Sequence, residues 1–151
     1  MTITTSIADQ LDALGLSIFT GPSGLTGEDA ATDAQLSALI AEPMLTIDGN
    51  KLVVGLKYTL NVTFALHLRP MHWFMELNEY NISNPNVSSK WPYQCGLLCV
   101  PNTATGTSWS ANSYGYTIAL ATCAAICHAW ANIIRLWLGG HYPLALNSPS
   151  A

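Results

Sequence analysis

Apolar and polar residues alternate from Leu52 to Arg69. Leu52, Val54, Leu56, Tyr58, Leu60, Val62, Phe64, Leu66 and Leu68 are apolar, and the residues between them are mostly polar or small. Period-2 alternation predicts a strand with one buried and one solvated face. Met44–Ile47, followed by Asp48-Gly-Asn, reads as a hairpin partner and its turn. Eighteen residues at ~3.3 Å each would reach more than ~50 Å. A domain of this size is only about 30 Å across, taking twice a radius of gyration of ~15 Å. The ribbon must therefore bend, for which Gly55 offers a bulge, or project into a neighbour.

Helical periodicity appears elsewhere. Ile7, Leu11 and Leu14 share a face and predict a helix over about 6–14, opened by Ser6 and ended by Gly15. Thr26 with Asp29 resembles a capping box for a helix over about 28–41, with Pro43 as its stop. Pro70 permits a helix over about 70–80, in which His72 and Glu76 would share one face. Asn81–Lys90 reads as a polar loop, Trp91–Val100 as a strand or short buried helix, and Pro101–Tyr114 as a loop.

The second strong signal is the apolar run Thr117–Leu138, ended by Gly139-Gly140. As a helix it would be ~33 Å long. Its polar positions fall in a narrow stripe that includes His128, Asn132 and Arg135. A helix apolar on the rest of its circumference is buried in a protein body or spans a membrane.

These patterns predict an α+β fold. A long antiparallel β-hairpin or sheet (about 44–69) packs with short N-terminal helices and one long apolar C-terminal helix (about 117–138). A single domain, 1–151, divides into an acidic helical segment (1–43), a β-rich core (44–100), a polar loop (101–115), the apolar helix (116–140) and a tail (141–151).

Charge changes this picture because it is scarce and segregated. Only 9% of the 151 residues are charged, against about 25% in an ordinary domain. Residues 1–50 hold seven acidic side chains and no Lys or Arg, while Arg135 is the one charge after Lys90. A net charge of −4 with five basic residues argues against autonomous or sequence-specific nucleic-acid binding, which needs a basic footprint. Half the residues are apolar, which excludes intrinsic disorder. Met1–Leu14 lacks the basic and apolar blocks of a targeting segment. The last 61 residues cannot be solvated by charge. They are expected to be solvated by Ser, Thr and Asn, in which 102–113 is rich, or else covered by sister subunits or by lipid. The acidic front reads first as a solvated face, with head-to-tail pairing to the mildly basic middle of another copy as the alternative.

Candidate chemistry is sparse. Cys95/Cys99 and Cys123/Cys127 form two C-x3-C pairs. Four thiolates would make a zinc site and two pairs would make disulfides, but buried free thiols acting as small hydrophobes are the expected state. His128 is the one candidate cofactor ligand, for a pigment or haem on a membrane helix. No cofactor is otherwise implied. There is no nucleophile elbow, P-loop or dinucleotide fingerprint, so no catalytic residue is assigned. Trp109, Trp130, Ile134 and Trp137 are the expected interface residues, since aromatics are favoured at interfaces and membrane boundaries.

Two function classes follow. The first is a non-enzymatic structural subunit of a large assembly, most simply a virus or phage particle, whose partners are copies of itself and other structural subunits. The second is a single-span membrane subunit, with His128 as the pigment or haem ligand.

Overall fold

In the computed structural model, which describes residues 2–21, 23–79, 91–102 and 107–149, the chain forms four helices and three strands. They are α1 (Thr5–Ile18), α2 (Ala30–Pro43), α3 (Val62–Ala65), β1 (Phe74–Glu79), β2 (Tyr93–Asn102), β3 (Thr107–Gly115) and α4 (Ile118–Leu138). The fold is α+β, with one antiparallel sheet in the order β1-β2-β3. The expected Asn81–Lys90 loop lies outside the described residues.

The central element is α4, the apolar helix expected from the sequence. Thr117 caps it, its hydroxyl accepting the Leu120 N–H at 3.1 Å, which satisfies a donor with no helical partner. One side of α4 packs on α1, and another lies on β2 and β3. Its Leu120, Ile126, Trp130, Ile133 and Ile134 are fully buried. Gly115 lets the sheet approach closely, since a Cβ there would lie 2.6 Å from the Ala121 nitrogen.

The N-terminal helices form near the expected positions, with different ends. α1 does not stop at Gly15 but continues to Ile18. Gly15 instead makes room for α4, because a Cβ would meet the His128 ring at 2.8 Å. α2 is capped by Asp29 rather than opened by Thr26: the Asp29 carboxylate accepts the Thr32 N–H at 2.9 Å. Pro43 does not stop the chain's coiling either. Lacking an N–H, it breaks the regular ladder, and Met44–Asp48 continues as a wider π-turn closed by Gly49 at φ 78°.

The long strand and hairpin expected over 44–69 are corrected. Gly55 at φ 79° turns the chain, and Asn61 caps α3, accepting the Thr63 N–H at 2.7 Å. Leu66–Leu68 follows as a single 3-10 turn. Buried Asp33 accepts both the N–H and the hydroxyl of Thr59 at 2.9 Å. Backbone groups that a strand would pair across a ladder are thus satisfied by side chains and turns. Val54 and Leu60, meant for a buried face, are exposed.

The sheet lies later in the chain. The expected helix over 70–80 is broken at His72, whose φ is 71°, and becomes β1. The loop expected over 101–115 is mostly β3, and among the described residues of the proposed β-rich core 44–100 the strands are β1 and most of β2. Pro101 falls where the β2–β3 register shifts, between Cys99 and Asn102, as expected for a residue with no N–H to give a ladder.

Candidate functional site

The polar stripe of α4 is used inside the chain. His128 Nδ1 lies 2.8 Å from Asp12 Oδ1. Arg135 donates to Asp12 at 2.7 Å and to Asp9 at 2.8 Å. Asn132 Nδ2 donates to the Ser110 carbonyl at 3.4 Å. Acidic residues of the front half therefore pair with the back half of the same chain, and Lys57 pairs with Glu28 at 3.6 Å. Asp9, Asp12, Glu28 and Lys57 are thus paired within the chain. The Asp12 contact corrects the ligand reading of His128. One ring nitrogen is held by Asp12, and the other abuts α1 at Gly15, where a macrocycle has no room.

The four cysteines are free and buried. β2 carries Cys95 and Cys99 on its inner face, and α4 carries Cys123 and Cys127. A spacing of four puts both thiols on one side of either a helix or a strand. Burial pushes the Cys95 thiol up to about 11, opposed by a hydrogen bond from Thr122. Burial raises Cys127 further still, with the Asp12 charge adding to it. Burial thus keeps these thiols protonated at neutral pH, the state in which a cysteine packs as a small hydrophobe. Among the described residues, no group of three or more His, Cys, Asp or Glu is placed to hold a metal ion. His72 and Glu76 do not share a helical face, because the chain is extended from Phe74.

Three of the four expected interface residues are internal. Trp130 and Ile134 are fully buried, and Trp137 nearly so. Trp130 Nε1 donates to the Leu68 carbonyl at 2.7 Å, and Trp137 Nε1 to the Asn147 carbonyl at 2.7 Å. The chain's own loop and tail cover the face that was expected to need a partner. Trp109 is half-buried and stacks on Tyr142, centroids 5.4 Å apart. Tyr142 is fixed in turn by Trp73, whose Nε1 donates to the Tyr142 hydroxyl at 3.1 Å.

Among the described residues, two open surfaces stand out. The first is the outer face of the sheet. One end is apolar: Phe74, 71% exposed, stands opposite Leu98, 45% exposed, with Val100 beyond. The other end is an uncharged amide ladder. Asn78 donates to Gln94 at 2.6 Å, and Gln94 donates to Asn112 at 3.3 Å. Gly96 leaves a shallow groove between the two ends, where a Cβ would strike Asn112 Oδ1 at 2.7 Å. Among the described residues nothing pairs with the outer edge of β1. Alternation of Cys95, Leu97 and Cys99 with Gly96, Leu98 and Val100 was the available sequence signal for this strand.

The second surface is a cleft of about 490 Å³ between β3 and the C-terminal half of α4, lined by Trp109, Asn132, Arg135 and His141 among others. A wider trough of about 580 Å³ runs between α2 and the 54–57 segment. Asp33, one of its polar groups, is already bound to Thr59.

No family model matches this chain, and no curated protein or solved structure matches it.

Proposed function

We propose that this chain is a non-enzymatic structural subunit of a large assembly, built from copies of itself and other structural subunits. A virus or phage particle is the assembly to which this reading points. The observation that carries it is the open outer face of the sheet, with its apolar end, its amide ladder and an edge of β1 that no described residue pairs with.

The occupant of this face is a second copy. The amide side chains each carry a donor and an acceptor, so the ladder is complementary to itself. Glu76 is the single ionisable carboxylate between the two ends, so facing copies meet little like-charge repulsion. A two-fold packing would set Phe74 and Leu98 against their counterparts. The face is roughly 15 by 20 Å, about 300 Å² of flat area from strand spacing and rise. A stable pair buries about 800 Å² per partner. The contact is thus too small for a tight isolated dimer, and it suits a subunit held at several weak points, where multivalency supplies the affinity.

The membrane reading keeps one observation in its favour, the length and apolarity of α4. Yet 78% of the most apolar stretch of that helix is buried in the fold. Insertion would require stripping α1 and the sheet from it.

Sedimentation velocity without detergent tests the proposal. The wild-type chain is expected to form larger species as its concentration rises, and Leu98→Asp to stay monomeric with an unchanged fold. A wild-type chain that stays monomeric at millimolar concentration, or a Leu98→Asp variant that assembles normally, would overturn it.

A further inference from the structure

The cleft between β3 and α4 has the features of a ligand site rather than of an assembly contact. Its volume, about 490 Å³, lies within the range of small-molecule sites, ~300–1,000 Å³. Its aromatic wall is preorganised. Trp109 is braced from behind by Tyr142, and Tyr142 is fixed by the Trp73 hydrogen bond. An indole held this way loses little freedom when a ring lies against it.

The polar groups converge on the same space. Asn132, Ser108, Ser110 and His141 line the cleft with Arg135. Asn132 donates to the Ser110 carbonyl, which orients its amide. Arg135 is no anion trap, because its guanidinium already donates to two carboxylates. Around it stand Asp9 and Asp12, so an anionic ligand would meet net negative charge. The lining therefore combines one flat aromatic ring with several neutral donors and acceptors. A neutral sugar ring offers the complement: an apolar C–H face for the indole and hydroxyls for the rim.

We propose that this cleft binds a neutral saccharide, stacked on Trp109 and hydrogen-bonded by Asn132 and His141. The cleft adjoins the sheet-face groove, sharing Ser110, which pairs with Leu98, but Trp109, Asn132 and His141 lie outside that groove, so sugar binding is read separately from assembly.

Saturation-transfer NMR with neutral di- and tetrasaccharides of glucose, galactose and N-acetylglucosamine, at millimolar concentration, tests it. At least one is expected to show transfer. Trp109→Leu should weaken that binding about tenfold by removing the aromatic face, and His141→Ala about threefold by removing one hydrogen bond. His141 is exposed, so its variant remains informative if Trp109→Leu unfolds. Repeating the experiment with the same sugars immobilised by their reducing ends separates a free sugar from a glycoconjugate terminus, either of which supports the assignment. Three results would overturn it: no transfer from any sugar, transfer unaffected by both substitutions, or binding confined to sulfated or carboxylated oligosaccharides.

Discussion

Helix α4 and the outer face of the sheet both belong to the charge-poor half of the chain, and they are charge-poor for different reasons. Around α4 the apolar surface is consumed by the chain itself. α1, the inner face of the sheet, the Leu68 turn and the C-terminal tail enclose it. The outer face of β1–β2 has no such cover, and Phe74 and Leu98 stand in solvent. Low charge along a sequence therefore marks apolar burial without saying whether the cover is intramolecular. Only the second region is left to call for a partner.

The comparison can be broken most severely at Trp130. If α4 is a true core helix, Trp130→Ala should cost about 3–5 kcal/mol of stability, read by urea denaturation. A loss below about 1 kcal/mol would mean the site was never close-packed. Next comes Gly15→Val, which drives a branched side chain into the His128 ring and should cost about 1–3 kcal/mol through overpacking. If its stability equals wild type, the close approach of α1 to α4 is wrong.

Asp48 sharpens the covered side. Its side chain is buried under the tail and accepts the Met71 N–H at 2.6 Å. Burial raises its carboxyl from 3.8 to about 6, opposed by that hydrogen bond and by the nearby His72. The folded state thus holds the proton more tightly than the unfolded chain. The stability Asp48 contributes is complete below about pH 4 and is lost as pH rises through 6. Between pH 7 and pH 4 the wild type should gain about 1–3 kcal/mol relative to Asp48→Asn. Asp29 works in the opposite direction, because the Thr32 hydrogen bonds lower its pKa. Its share fades only as pH falls below the ordinary range, so the difference between wild type and Asp48→Asn isolates Asp48. Equal pH profiles for the two would contradict the burial. The smallest stability effect belongs to the open face. Leu98→Asp should change the unfolding free energy by no more than about 0.5 kcal/mol, and a larger loss would mean the face is covered within the monomer.

The helices were legible because their periodicity and caps are local. Ile7, Leu11 and Leu14 mark one face of α1, and the apolar run to Leu138 marks α4. The sheet was not legible because strands need distant partners. From Leu52 to Leu68 the alternation is clean, yet Gly55, Asn61 and the Asp33–Thr59 bonds give that backbone a local solution. β1 begins only after His72 adopts a left-handed conformation, which nothing in the surrounding pattern announces. The candidate site was misplaced for a related reason. Trp130 and Trp137 have interface chemistry, but the cover they find is Leu68 and Asn147, which only the fold brings near. Of the four residues expected to face a partner, Trp109 lines the β3–α4 cleft and Trp137 lines a smaller pocket under the tail.

Hydroxyl-radical footprinting across a dilution series, without detergent, tests the central claim most directly. The account predicts that Trp130 stays protected at every concentration, while labelling of Phe74 and Leu98 falls as concentration rises. Labelling of Trp130 in dilute protein, with protection appearing only on assembly or on added lipid vesicles, would contradict it.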